Sequence, residues 1–189
     1  RAATNGLQSL LCSFEPGRYD YLTPTATANG ATRCRQYGQF LGNYFKNFTN
    51  ILWITGNDNQ NWRTETNNTC VMAIALGIAD TDMNHLQTVQ LDFPISMSYD
   101  APSWRSLINF NGVYTYFTTY YECLKAYNTN TMPALLLEAN YEGENNQGGS
   151  GGTPSNLRRQ EYWSQLSGAT AGHIYGNRFE WAPLGSWQA

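Results

Sequence analysis

Two carboxylates occupy sharply defined places in the sequence. In Asn50-Ile51-Leu52-Trp53-Ile54-Thr55-Gly56-Asn57-Asp58, a hydrophobic run and a glycine deliver Asp58. In Ala134-Leu135-Leu136-Leu137-Glu138-Ala139-Asn140-Tyr141-Glu142, Glu138 follows four apolar residues and Glu142 stands four positions later. An ionised group at the rim of a buried strand loses solvation, so it persists where it is paired or used. Pairing with Arg63 or Arg158 is one reading. The other sets the two acids across a pocket, one protonating a leaving oxygen while its partner attacks the anomeric carbon or activates water, the equipment of glycoside hydrolysis. A carboxyl separation of about 5–5.5 Å would suit retention of configuration, and roughly 6.5–9.5 Å inversion. Near the same exits, Trp62, Tyr114, Tyr141, Tyr175 and Trp181 offer faces for stacking on sugars, and Asn57, Asn111 and Asn140 offer amides for hydroxyls. For each aromatic the plain alternative is packing.

The elements that must position these groups follow from hydrophobic periodicity. Short apolar runs suited to buried parallel strands occur at Leu7–Ser13, Ile51–Thr55, Leu86–Leu91, Leu107–Phe110, Ala134–Leu137 and Gly172–Tyr175. Tyr37, Phe40, Leu41, Tyr44, Phe45 and Phe48 recur at helical spacing and predict one aromatic face turned to the core. A second helix is predicted over about Asn68–Ala79, and a third through Tyr120, Tyr121, Leu124 and Tyr127. A fourth opens with Thr153 as N-cap and Pro154 at the first helical position and ends at Gly168. Between Leu91 and Leu107, where Pro94 and Pro102 fall, no helix is predicted. The strand starts spread 165 residues over five intervals, about 33 each, so eight units would need about 264, near the roughly 250 of a (β/α)₈ barrel. The fold class read from this is α/β: an incomplete (β/α)₈ TIM barrel with about six of eight strands, in one domain over 1–189. An open doubly wound sheet is the alternative, but no glycine-rich phosphate cradle follows any strand.

Composition excludes several functions. The 189 residues are 13% charged with a net charge of −3, and Lys46 and Lys125 are the only lysines, so no basic stripe offers itself to nucleic acid. No apolar stretch approaches the roughly 20 residues that span a bilayer, so no membrane partner is expected. Six Trp, 13 Tyr and eight Phe argue against disorder, although Gly148-Gly149-Ser150-Gly151-Gly152 reads as a loop. That Gly149-Ser150-Gly151 is not the nucleophile elbow of a serine hydrolase. Cys12, Cys34, Cys70 and Cys123 lie too far apart for zinc-ligand spacing. In a secreted protein they could form disulfides, while Cys12, inside an apolar segment, reads as a buried free thiol. The chain begins at Arg1 with no apolar leader, and the expectation is a fragment whose N-terminal units are missing.

The Asp58 and Glu138 segments, together with Arg158-Arg159-Gln160-Glu161-Tyr162-Trp163, Gly168-Ala169 and Gly172-His173-Ile174-Tyr175-Gly176-Asn177, resemble the apiosidase-like glycoside hydrolases, which are (β/α)₈ enzymes. The resemblance runs from about Ala2 to Trp181. It implies a retaining mechanism with Asp58 as acid/base and Glu138 as nucleophile, Glu142 as a supporting acid, and Tyr175 and Asn177 lining the sugar site. His173 is expected to be structural. One departure is Gly56-Asn57 where the family usually has two glycines. The implied substrate is a carbohydrate in plant or microbial polysaccharide side chains, and the implied location is secreted or periplasmic. The chemistry requires no metal and no organic cofactor. A non-catalytic carbohydrate-binding barrel is the alternative function.

Overall fold

The computed structural model describes residues 2–15, 22–63, 65–144 and 151–178. Strands and α-helices alternate except across β3–β5, which follow one another without an intervening α-helix: β1 (Ser9–Phe14), α1 (Leu22–Phe45), β2 (Ile51–Asn59), α2 (Glu65–Thr81), β3 (Gln87–Leu91), β4 (Ile95–Met97), β5 (Asn111–Thr115), α3 (Thr119–Thr129), β6 (Ala134–Glu138), α4 (Pro154–Leu166) and β7 (Gly172–His173). They form one three-stranded sheet ordered β1-β2-β3 and one four-stranded sheet ordered β4-β5-β6-β7. The β1/β2, β2/β3 and β6/β7 pairs are parallel, as helix crossovers between consecutive strands require. The chain divides into two compact units, Arg1–Phe93 with Met97–Gly112, and Pro94–Ser96 with Val113–Ala189. No helix among the described residues is long and apolar enough to cross a membrane.

In the first unit α1 and α2 run side by side and close together. Ideal Cβ atoms on Gly38 and Gly77 would stand 2.0 Å from the Ile74 carbonyl oxygen and 2.1 Å from that of Arg35. This contact corrects the expectation that the aromatic face of α1 is core. The face turned to α2 is the small one, Cys34, Gly38 and Gly42, whereas Phe40 and Tyr44 are 63% and 61% exposed and Tyr37 and Phe48 are exposed too. Leu41 and Phe45 alone of the stripe pack against the cluster of Cys34, Ile51, Trp53, Cys70, Ala73, Ile74 and Ile78. Cys12 is exposed rather than buried, because β1 is an edge strand and its side chains alternate between a covered and an uncovered side.

Trp53 is fully buried and donates its indole N–H to Asp82 at 2.9 Å. The same carboxylate oxygen lies 2.7 Å from His85 Nδ1, and the Asn84 N–H donates to the other oxygen at 3.1 Å. Burial alone would raise the Asp82 carboxyl, but these hydrogen bonds outweigh it and hold it below the ordinary carboxylate range. On the surface, hydrogen bonds from Arg35 and Gln39 bring Asp80 down to about 2. Both folded pKa values lie below the unfolded value of roughly 3.9, so their stabilisation is present above that pH and is lost as pH falls through the folded values, which for Asp80 is about 2. The urea midpoint is therefore expected to hold steady from about pH 6 to 5 and to drop between about pH 4 and 2. Asp82→Asn should flatten part of that drop, and an unchanged acid limb would remove Asp82 from this role.

The segment after β3 departs from the sequence reading. Leu107–Phe110 is not a strand; the strand is Asn111–Thr115, and Ile95–Met97 adds one more, with two short 3-10 helices between them. Buried polar groups organise this stretch, which is why apolar periodicity does not reveal it. Ser98 Oγ accepts from the Gly112 N–H at 3.0 Å and donates to the Val89 carbonyl at 2.5 Å, while Thr88 donates to the Phe110 carbonyl at 2.8 Å. Asn68 on α2 accepts the Trp104 indole N–H at 2.8 Å and donates to Ser103 at 3.1 Å.

The second unit contains the best-read element. Thr153 caps α4 by accepting from the Asn156 N–H at 3.4 Å, and Pro154 opens the helix as expected. Leu157 and Gln160 are buried on its inner side, and Trp163 meets Tyr120 of α3 edge-on at 5.1 Å.

Candidate active site

Asp58 lies in the first unit and Glu138 in the second, so each is described within its own unit. In the first, Thr55 pairs with Val89 and Asn59 with Leu91, so four steps along β2 match two along β3. The extra residues form a bulge, the device by which a strand re-aims a side chain at its end. Two left-handed residues build it: Gly56 at φ 77° and Asp58 at φ 52°, the latter the one non-glycine among the described residues with positive φ. Aspartate tolerates that conformation better than most residues. Gly56 does not have a substitute there, since a Cβ would also stand 2.8 Å from Asn59 Cβ and 3.1 Å from the Gln90 carbonyl oxygen. Asp58 Oδ1 is buried. Asn57 points the other way and donates to Glu15 at 3.1 Å.

Two more groups gather just beyond β2 and β3. Asp92, the first residue after β3, accepts the Trp62 indole N–H at 2.8 Å and pairs with Arg63. The Arg63 guanidinium lies 4.2 Å above the Trp62 ring. Arg63 is thus committed to Asp92, and one ring face of Trp62 is held by a cation. Asp92 is not among the residues that the sequence analysis singles out; its position immediately after a strand, the criterion that selects Asp58 and Glu138, is the signal that points to it. Asn111 is wholly buried, accepting from the Tyr99 N–H at 3.1 Å and directing its amide nitrogen toward Met97 sulfur at 3.6 Å. Its amide supports the turn after β4.

In the second unit β6 carries Leu136 and Leu137 into the core and ends on Glu138, itself 9% exposed. Glu138 Oε1 accepts the phenolic O–H of Tyr116 at 2.8 Å. Tyr116 is buried between Tyr114 and Tyr141, with ring centroids 5.7 and 6.4 Å away. The apolar run Leu107–Phe110 predicts β5 four residues early and so leaves Tyr116 unmarked; the alternation Tyr114-x-Tyr116 at a strand exit is the signal that marks it. Tyr114 is 2% exposed and packs beside it.

The chain beyond Glu138 is clamped by α4. Gln160 accepts from the Asn140 backbone N–H at 3.1 Å and returns a bond to the Asn140 carbonyl at 3.2 Å, while the Asn140 amide donates to the Tyr116 carbonyl at 3.4 Å. Asn140 is buried in this network. Glu142 bridges to the segment after β7, its N–H donating to the Gly176 carbonyl at 2.9 Å and its carbonyl accepting from the Arg178 N–H at 2.9 Å. Its carboxylate accepts from Tyr175 O–H and, at 3.5 Å, from the Asn177 amide. Glu142, Tyr175 and Asn177 are therefore one cluster, and Tyr175 is 54% exposed. His173 Nδ1 lies 3.1 Å from the Gln165 amide and its Nε2 4.0 Å from Glu161. Trp181 lies outside the described residues.

The family model described as "Apiosidase-like, catalytic domain" matches residues 2–184. No curated protein matches the chain. Among solved structures, a glycoside hydrolase family 5 protein from Bacteroides vulgatus ATCC 8482 superposes with a TM-score of 0.75 at 21% identity, covering 93% of this chain and 41% of that one. A second, a "Glycoside hydrolase", gives 0.73 at 20% identity, with coverages of 93% and 43%. At such identity the likeness is one of fold: an α/β fold with parallel sheets, of TIM-barrel type. This chain spans less than half the length of either structure.

Proposed function

The chain belongs to the apiosidase-like catalytic-domain family, a family of glycoside hydrolases, and from that premise we propose that the whole protein is a retaining glycosidase with Asp58 as acid/base and Glu138 as nucleophile. The observation that carries this reading is Glu138 itself: a buried carboxylate at the end of β6, one oxygen fixed by Tyr116. A hydrogen bond to one oxygen orients a carboxylate for attack by the other. In the first half-reaction Asp58 gives its proton to the glycosidic oxygen as Glu138 attacks the anomeric carbon, so the leaving sugar departs as an alcohol and a glycosyl ester forms on Glu138. In the second, Asp58 takes a proton from water, whose oxygen displaces Glu138. No metal or cofactor enters either half.

In this reading Trp62 presents the ring face opposite Arg63 to a sugar, and Tyr141, Tyr175 and Asn177 line the site with Glu142 holding the last two. Asn57 is engaged by Glu15 and is left out of the sugar contacts, while Asn111 and Tyr114 act as buried supports. The substrate is a side chain of a plant or microbial polysaccharide, met outside the cytoplasm.

The test is to follow hydrolysis of glycosides by the whole protein and read the first-formed anomer by NMR. Retention is expected. Inversion would overturn the nucleophile assignment, and binding to glycans without release would favour the carbohydrate-binding alternative. Because the acid must hold its proton, the rate should also fall on the basic side of its optimum. A smaller effect is expected from Asp92→Asn, which breaks the Arg63 pair that steadies Trp62. KM should rise roughly tenfold with kcat little changed, the loss of about one charge-assisted hydrogen bond. A fall in kcat alone would move Asp92 to the chemistry instead.

A further inference from the structure

Helices α1 and α2 face each other at offsets of 36 and 39 residues. Gly38 abuts Ile74 and Gly42 abuts Ile78, and one turn earlier on the same faces stand Cys34 and Cys70. Both cysteines are thiols not joined in a disulfide, 5% exposed and members of one core cluster. The Cys34 thiol is pushed up by burial and by the Cys70 thiol, to which it is hydrogen-bonded. The glycine contacts bring the two backbones unusually close, and close backbones are what a disulfide between facing helices needs, its Cα atoms lying about 4.4–6.8 Å apart. Cys123 belongs to the other unit and Cys12 is exposed on an edge strand, so neither is an equivalent partner.

We propose that Cys34 and Cys70 form an intramolecular disulfide that staples α1 to α2 when the protein folds under oxidising conditions. One thiolate attacks a small-molecule disulfide, releasing one thiol and leaving a mixed disulfide on the protein. The other cysteine then attacks the protein sulfur and releases the second thiol. The two cysteine sulfurs each lose one electron, the oxidant gains two, and both protons leave on the released thiols. The bridge would tie together the two helices that flank β2, the strand carrying Asp58, and it stands or falls independently of the hydrolytic reading.

The experiment refolds the reduced full chain with oxidised glutathione, denatures it, alkylates the remaining thiols, and maps the peptides by mass. A chain about 2 Da lighter, with two alkylated cysteines and a Cys34–Cys70 linked peptide, is expected. Its Tm should exceed that of the reduced chain by roughly 5–10 °C, because the cross-link restricts the unfolded chain. Cys70→Ala should abolish both effects, and Cys12→Ser should leave both. Four alkylated thiols, glutathione adducts alone, or a bridge to Cys12 or Cys123 would overturn the proposal, as would a bridge that leaves Tm unmoved overturn its role as a staple. The mapping on the unaltered chain decides the pairing even if Cys70→Ala does not fold.

Discussion

Glu138→Gln is expected to cut glycoside turnover by about 10³-fold or more while leaving the fold intact. Glutamine keeps the shape of the side chain and can still accept the Tyr116 O–H, so the far-UV spectrum and the urea midpoint should barely move. What disappears is the negative oxygen that attacks the anomeric carbon, and no neighbouring group replaces a nucleophile that makes the covalent bond. Tyr116→Phe provides the graded comparison. It removes one hydrogen bond to a buried carboxylate, worth about 1.5–3 kcal/mol, so kcat should fall roughly 10- to 100-fold without vanishing. Asp58→Asn should cost about 10²–10⁴, and most for substrates with poor leaving groups, because that is where protonation matters. Full turnover by Glu138→Gln in the whole protein would end the nucleophile assignment. Equal losses from Tyr116→Phe and Glu138→Gln would indicate a collapsed site rather than a missing nucleophile.

Gly38→Ala is expected to destabilise the first unit by about 3 kcal/mol, read as a lower urea midpoint at unchanged m-value. Intrinsic helix propensity predicts the opposite sign, a gain of up to about 1 kcal/mol on replacing glycine by alanine inside a helix. Packing decides the matter. The new methyl would lie 2.0 Å from the Ile74 carbonyl oxygen, and a backbone oxygen inside a helix cannot rotate away as a side-chain tip can. The helices must separate, and the cluster that holds Trp53, Ile74 and Ile78 loosens with them. Gly77→Ala, facing the Arg35 carbonyl at 2.1 Å, should behave alike. A higher midpoint in either variant would show that α1 and α2 do not approach this closely.

The parts of the molecule that were legible in sequence are those governed by neighbours along the chain. Thr153, Pro154 and Gly168 bounded α4 because capping is local chemistry: one hydroxyl, one missing N–H and one left-handed turn. The run Ala134–Leu137 announced β6 and set Glu138 at its exit, since a strand buried on both sides must be continuously apolar. The run from Ile51 did the same for Asp58, although the bulge that turns its carboxylate is visible only in the pairing with β3.

What failed to show was set by distant partners. The aromatic stripe of α1 has the right period for a core face, yet periodicity cannot say which of two faces meets a neighbour. The small residues Cys34, Gly38 and Gly42 won because glycine admits a second helix backbone. β5 was misplaced onto Leu107–Phe110 because its own residues include Asn111 and Thr115, polar groups that burial tolerates once Tyr99, Met97 and the Phe117 N–H satisfy them. Tyr116 stayed hidden for the same reason. Sequence by itself determined the β/α alternation on either side of the β3–β5 stretch, the capped start of α4 and the two carboxylates at strand ends, because each depends on residues within a few positions of one another. Tertiary structure alone decided which helix face is buried, which polar groups the core accepts and which hydroxyl holds Glu138, because those outcomes depend on atoms many residues apart being brought within a few ångströms.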